Sequence, residues 1–301
     1  MKNYLDIARE GKTDWWRYLI AYPFIILAWF LLGSIPLIIT LVVLGINDPN
    51  ILFNLSGLSG IESVVFFTAE MLSFVPFILA TILAVFFIHR RPVRTLVTAE
   101  RRVDWKRMLA GFAVWAVLAA WMALAESQLY PGRYEFTPHP ESFGFFAIIA
   151  ILLIPIQTSS EEFFFRGYFL QNAGLKVKNP IVLSLLSGIL FTLPHLVNPE
   201  VAANVLLVPL FYFSFGAFAA YISLRDNGIE LALGMHAGNN LFTALFVNAT
   251  VSAMPTPALF TVNEFDVAYN LISPIIGMVI FYILMFKVWP KKMDASLATE
   301  S

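Results

Sequence analysis

Apolar runs of about 20 residues recur along the sequence and restrict the chain to a membrane fold. Of the 301 residues, 59% are hydrophobic and 13% are charged, against roughly 25% charged in soluble domains. A helix that crosses a bilayer needs about 20 mostly apolar residues. The sequence therefore predicts an all-α fold, a polytopic transmembrane bundle of about eight spans. The predicted spans are residues 18–45, 64–88, 108–128, 143–165, 180–197, 203–224, 229–250 and 269–289.

The basic residues predict how these spans are oriented. Of the 19 Lys and Arg residues, only Arg133 falls on one side of the predicted spans, and the loop 89–107 on the other side is the most basic. Loops rich in Lys and Arg stay in the cytoplasm. We therefore expect a multi-pass integral membrane protein with both termini cytoplasmic, lying in the cell membrane if the organism is a prokaryote.

No polar stretch is long enough for a soluble domain, so the regions of the chain follow the spans. The chain has no cysteine, which excludes disulfides, thiolate metal sites and a cysteine nucleophile. The expected regions are a cytoplasmic or interfacial N-terminal segment, the N-terminal spans, a core that carries the chemistry, and the last span with a cytoplasmic tail. In that order they are residues 1–17, 18–141, 142–250 and 251–301.

Three ionisable residues interrupt the fourth apolar stretch: Glu161, Glu162 and Arg166. An ionisable side chain in hydrocarbon costs at least about 2.5–3.5 kcal/mol, so each needs a partner or a function. Adjacent helical residues are separated by about 100° around the axis. We therefore expect Glu162 to pair with Arg166, four residues later on the same face, and Glu161 to face a cavity.

Two later stretches supply polar partners for Glu161. A hairpin that turns near Lys178 would put Glu161 and His195 at similar depth on neighbouring antiparallel helices. His236 and Asn240 are four residues apart, so they share one face of a further helix. The sequence thus predicts one polar pocket at which three helices converge.

Such a pocket supports two kinds of hydrolysis. Glu161 can act as a general base on a water molecule that His195 also holds, while His236 and Asn240 donate hydrogen bonds to a forming oxyanion. A carboxylate with two imidazoles is also a zinc ligand set, here Glu161, His195 and His236. We expect no cofactor, because the chain has no His-Glu-x-x-His motif, and zinc remains the alternative.

The ordered set of motifs resembles the CAAX protease and bacteriocin-processing family of intramembrane proteases, which includes the type II CAAX prenyl endopeptidases. The resemblance covers about residues 142–250. The motifs, in chain order, are Glu161-Glu162-x-x-x-Arg166, Phe191-x-x-x-His195 and His236-x-x-x-Asn240.

This resemblance implies a glutamate-dependent endopeptidase in a helical membrane fold. It implies that Glu161 and His195 activate water and that His236 and Asn240 stabilise the oxyanion. Metalloprotease is another label attached to the family. The remaining motif residues are expected to support the site structurally, and these are Glu162, Arg166 and Phe191.

The expected partners are the lipid bilayer and a membrane-embedded or lipidated peptide substrate, such as a prenylated CAAX protein, and no nucleic acid. One alternative function is a non-proteolytic binding, scaffold or bacteriocin-immunity protein on the same fold. Another is a solute transporter with an intramembrane proton relay. The sequence shows no paired halves of the sort common in transporters.

Overall fold

Eight long helices follow one another in the part of the chain that the structure, a computed structural model, describes: residues 3–45, 60–254, 256–264 and 266–291. They confirm the all-α helical bundle. Their bounds are α1 Trp15–Val43, α2 Glu62–Ile88, α3 Trp105–Leu129, α4 Pro140–Ala173, α5 Pro180–His195, α6 Leu207–Asp226, α7 Glu230–Leu245 and α8 Val267–Val288.

Six of these helices are long and apolar enough to cross a membrane, and α5 and α7 are the exceptions. Each of these two has 16 residues, a length of about 24 Å at 1.5 Å per residue, which is less than the roughly 30 Å of a hydrocarbon core. Both pack against longer helices, α5 against α6, and α7 against α3, α4 and α6. The predicted spans 180–197 and 229–250 are therefore short helices held by the bundle.

Glycines let α7 approach α3 closely. A Cβ on Gly234 would lie 2.0 Å from the carbonyl oxygen of Met108, and one on Gly238 would lie 2.8 Å from that of Phe112. Small residues four apart are typical of close helix packing in membranes. His236 lies between the two glycines, so this contact fixes its depth and direction.

A small sheet covers one end of the bundle. Its strands are β1 Tyr134–Phe136, β2 Val247–Ala249 and β3 Phe260–Val262, in the order β1-β3-β2. The β1–β3 pair is antiparallel and the β2–β3 pair is parallel. The seventh span was predicted to run to residue 250, but the helix ends at Leu245 because the following residues pair with β3. We call this end of the bundle the sheet end.

The opposite end gathers the N-terminal residues, the α2–α3 loop, the α4–α5 and α6–α7 turns and the end of α8. A buried ion pair joins Arg107 and Asp226 at 2.9 Å, and Arg107 also donates to the carbonyl oxygen of Trp289 at 2.8 Å. An exposed pair joins Lys178 to Asp6 at 2.9 Å. We call this the termini end.

Candidate active site

One cavity of about 400 Å³ brings together the four residues predicted to be catalytic. Glu161 on α4 and His195 on α5 face it from the two arms of the predicted hairpin, which turns at residues 174–179. His236 and Asn240 face it from α7. Phe191 also lines the cavity, whereas Glu162 and Arg166 lie behind its wall.

Glu162 pairs with Arg166, as the spacing predicts. The Glu162 Oε1 and Arg166 Nη1 atoms are 3.0 Å apart, and both side chains are fully buried. The Arg166 guanidinium also lies 4.4 Å from the centre of the Phe191 ring and donates to the carbonyl oxygen of Gly216 at 3.3 Å. These partners offset part of the cost of burying the charge, although Arg166 Nε and Glu162 Oε2 have no hydrogen bond among the described residues.

The same Glu162 oxygen accepts a hydrogen bond from Nδ1 of His236 at 2.8 Å. The other ring nitrogen, Nε2, lies 3.6 Å from Oε2 of Glu161. The two adjacent glutamates therefore approach one imidazole from its two nitrogens, a contact that sequence spacing does not reveal. Glu162 fixes the ring orientation, and Oε2 of Glu161 is buried without a hydrogen bond among the described residues.

His195 presents a free nitrogen to the cavity. Its Nδ1 lies 2.7 Å from the carbonyl oxygen of Phe191, and since a carbonyl only accepts, Nδ1 carries the hydrogen. The neutral ring then has its lone pair on Nε2, which has no hydrogen bond in the described parts of the chain. The rings of Phe191 and Tyr212, with centres 4.5 Å and 4.3 Å away, hold the imidazole between them. Within the described residues, no hydrogen bond or ion pair joins His195 to Glu161.

A chain of amides orients Asn240. Its Nδ2 donates to Gln157 Oε1 at 2.9 Å, and its Oδ1 accepts from Asn239 at 3.1 Å. Asn239 in turn accepts from the Trp115 indole at 3.1 Å. Gln157 lines the same cavity as Glu161. Sequence reasoning missed Gln157, although a polar residue four positions before Glu161 shares its face.

A second polar group, formed by Glu200, Tyr212 and Asn198, lines the same cavity, and sequence reasoning did not find these three residues. Glu200 accepts a short hydrogen bond from the Tyr212 hydroxyl and another from the backbone N–H of Ala253 at 2.9 Å. Asn198 donates to the Tyr212 hydroxyl at 2.9 Å. Glu70 of α2 also lines the cavity, and one of its buried carboxylate oxygens has no hydrogen bond within the described residues.

The alternative zinc ligands Glu161, His195 and His236 are not gathered as a ready metal cluster in the described residues. Nowhere in residues 3–45, 60–254, 256–264 and 266–291 do three His, Asp or Glu side chains gather closely enough to hold one ion. His195 directs Nδ1 to its own helix, and His236 directs Nδ1 to Glu162. Metal-ligating histidines commonly engage their other ring nitrogen in this way, so zinc at Glu161, His195 and His236 remains the alternative.

Comparisons with known proteins agree with the resemblance seen in the motifs. Residues 140–242 match the family model described as type II CAAX prenyl endopeptidase Rce1-like. Over 283 residues the chain is 32% identical to the uncharacterized protein YyaK of Bacillus subtilis (strain 168), which covers 91% of this chain and 94% of that protein. No solved structure gives a significant match. The chain is therefore an integral membrane protein that belongs to the Rce1-like family of type II CAAX prenyl endopeptidases.

Proposed function

We propose that the protein is an intramembrane endopeptidase, which hydrolyses a peptide bond of a membrane-associated substrate with a water molecule activated by Glu161 and His195. The observation that carries this proposal is that two hydrogen-bond acceptor atoms without a donor among the described residues line one cavity. Oε2 of Glu161 and Nε2 of His195 have no hydrogen-bond partner in the described chain, while the Nδ1 atoms of His195 and His236 are both engaged.

Water activation follows from these two acceptors. A water molecule between them donates one hydrogen to Nε2 of His195 and the other to the Glu161 carboxylate, so that an oxygen lone pair points at the substrate carbonyl carbon. The Phe191 carbonyl oxygen keeps the hydrogen of His195 on Nδ1. This bond holds His195 in the tautomer that can accept from water.

The oxyanion is stabilised by donors on α7. When His236 is protonated on both nitrogens, it donates from Nδ1 to Glu162 and presents Nε2–H to the cavity. Asn240 uses one hydrogen of Nδ2 for Gln157, and its second hydrogen is available for the substrate oxygen. Donors held in place in this way act where negative charge develops in the transition state.

Glu161 both accepts and returns the proton that is transferred during hydrolysis. The water oxygen bonds to the carbonyl carbon and Glu161 takes the water proton. As the tetrahedral intermediate collapses, the carbon–nitrogen bond breaks and Glu161 returns the proton to the leaving amine. No step requires a covalent enzyme intermediate or a metal.

The test is a comparison of new protein N-termini in membranes of cells that express the parent or Glu161→Gln at equal levels. Peptides with N-termini produced only by the parent are the expected result, because the amide cannot accept the water proton. Glu141→Gln is a matched control, since Glu141 is exposed on the same helix. If Glu161→Gln yields the parental set of N-termini, the enzyme proposal is wrong and a binding or immunity role takes its place.

A further inference from the structure

The cavity reaches the sheet end of the bundle and not the termini end. Its outer wall is formed by the ends of α3 and α7, the start of α8 and the sheet, with Glu126, Tyr134, Asn248, Val262 and Tyr269 among its lining residues. Within the described chain, no lining residue comes from the parts that build the termini end. Those parts are residues 3–28, 89–107, 170–190, 222–231 and 282–291.

Packed side chains close the termini end beneath the site. Tyr4 is fully buried and its hydroxyl hydrogen-bonds to the backbone carbonyl oxygens of Leu96 and Arg166. Beside it, Arg91 donates to Gln171 at 2.5 Å, and both side chains are buried. This layer lies across the bundle below Arg166, so a peptide cannot reach Glu161 from the termini end without unpacking it.

The charge distribution predicts which side of the membrane each end faces. Of the 19 Lys and Arg residues, Arg133 alone lies at the sheet end, beside β1, among the residues that the structure describes. Its charge is matched by Glu126 at 3.0 Å and Asp266 at 3.4 Å. Basic loops remain cytoplasmic, so the sheet end is the non-cytoplasmic end.

We propose that the cavity opens to the non-cytoplasmic side and receives a peptide segment presented there, such as an exported peptide or the outer part of a membrane-anchored protein. The cleavage of this segment rests on the proposed function, whereas the side of access does not. A prenylated tail in the cytoplasm would face the closed layer around Tyr4 instead. The substrate class is thus set by the side of the membrane at which the cavity opens.

Cysteine labelling tests the side of access, because the chain has no cysteine of its own. His195→Cys places a thiol at the site, and Thr243→Cys places one on the cavity wall nearer the sheet. Glu264→Cys and Lys176→Cys mark the exposed surfaces of the sheet end and the termini end. Each single-cysteine protein is treated with a small, charged, membrane-impermeant methanethiosulfonate in intact cells and in inside-out vesicles. Thiols that remain free are counted after unfolding.

We expect His195→Cys and Thr243→Cys to react in intact cells together with Glu264→Cys, and Lys176→Cys to react only in inside-out vesicles. The proposal is overturned if the two cavity thiols react only from the side that labels Lys176→Cys. It is also overturned if Lys176→Cys reacts in intact cells and Glu264→Cys does not, or if the cavity thiols react from neither side but do react after unfolding.

Labelling requires no hydrolysis, so its outcome is separate from that of the Glu161→Gln comparison. Suppose the cavity thiols react in intact cells but Glu161→Gln yields the parental set of N-termini. The cavity then opens outward and binds a ligand without protease activity. Cleavage sites that depend on Glu161 supply a second readout, and we expect them to map to non-cytoplasmic segments of their proteins. Sites in cytoplasmic tails would contradict the proposed access.

Discussion

The Arg107–Asp226 pair at the termini end and Glu161 in the cavity differ in how completely their buried charges are paired. At the termini end, Arg107 donates to both carboxylate oxygens of Asp226 and to the carbonyl oxygens of Met285 and Trp289. In the cavity, Glu161 keeps one buried carboxylate oxygen without a hydrogen bond among the described residues. A complete set of partners makes a buried charge tolerable, and an incomplete one costs stability. Glu230 at the termini end also keeps one buried carboxylate oxygen without a hydrogen bond among the described residues. What distinguishes Glu161 is that it lines the cavity, where a water molecule or a substrate can reach it.

Two histidines repeat this contrast. At the termini end, His89 uses both ring nitrogens, one with the carbonyl oxygen of Lys12 and one with the Tyr168 hydroxyl, each at 2.8 Å. In the cavity, His195 uses only Nδ1 among the described residues. One imidazole therefore joins parts of the fold, and the other retains an acceptor that a water molecule or a substrate can use.

The largest expected effects are at His195 and His89, and they test whether the cavity and the termini end have separate roles. His195→Ala should lower the cleavage rate by about 10²–10⁴-fold, the range typical of general acid–base groups, and leave thermal stability near that of the parent. His89→Ala should do the reverse, because it leaves buried partners unsatisfied at a cost of about 1–3 kcal/mol. Cleavage per folded molecule and thermal unfolding in detergent measure both. A folded but inactive His89→Ala protein would show that the two regions are not separate.

The next effect concerns the Arg107–Asp226 pair. Arg107→Met leaves the Asp226 carboxylate buried without its partner and should cost about 3–5 kcal/mol of stability, with cleavage per folded molecule unchanged. Adding Asp226→Leu to Arg107→Met should recover much of the loss, since an apolar replacement of both partners removes the unpaired charge. If the double variant is no more stable than Arg107→Met, the loss comes from the bonds of Arg107 to the end of α8.

A smaller effect is expected at Asn240. Asn240→Ala removes one oxyanion donor and should lower kcat by about 10²–10³-fold with KM little changed. The control is Asn270→Ala, because Asn270 also lines the cavity but its side chain bonds to the carbonyl oxygen of Asp266 on its own helix. Steady-state kinetics on both variants separate the two. Equal losses at Asn240 and Asn270 would indicate a general disturbance of the cavity.

The smallest effect is expected at the exposed pair of Lys178 and Asp6. The Lys178 side chain is 54% exposed, and exposed ion pairs contribute about 1 kcal/mol or less. Lys178→Ala should therefore leave both thermal stability and cleavage close to the parent. A large loss of stability would mean that the N-terminal segment is held mainly through this contact rather than through buried Tyr4.

The features that were predicted correctly from the sequence depend on contacts between residues close together in the chain. The apolar lengths predicted the helical bundle, and the four-residue spacing predicted the Glu162–Arg166 pair. The hairpin followed from its position in the chain and brought Glu161 and His195 to one cavity. Each of these inferences needs only helix geometry and the cost of burying charge in hydrocarbon.

The features that sequence reasoning missed depend on contacts between distant parts of the chain. β2 was assigned to a helix because its pairing with β3 is a tertiary contact. The bond of Glu162 to His236 joins two helices whose relative rotation no local pattern gives. The same holds for the amide chain through Gln157 and Asn239.

The most direct test of the central claim compares two buried glutamates, one from each region, on a cleavage site identified by N-terminal profiling. Glu161 lies in the cavity, and Glu230 is fully buried at the start of α7, where it accepts the backbone N–H of Asp104 at 3.2 Å. We predict that purified Glu161→Gln cleaves the corresponding peptide at least about 10²-fold more slowly and unfolds at the parental temperature or above. Glu230→Gln should cleave at the parental rate per folded molecule. Parental cleavage by a folded Glu161→Gln protein would contradict the account.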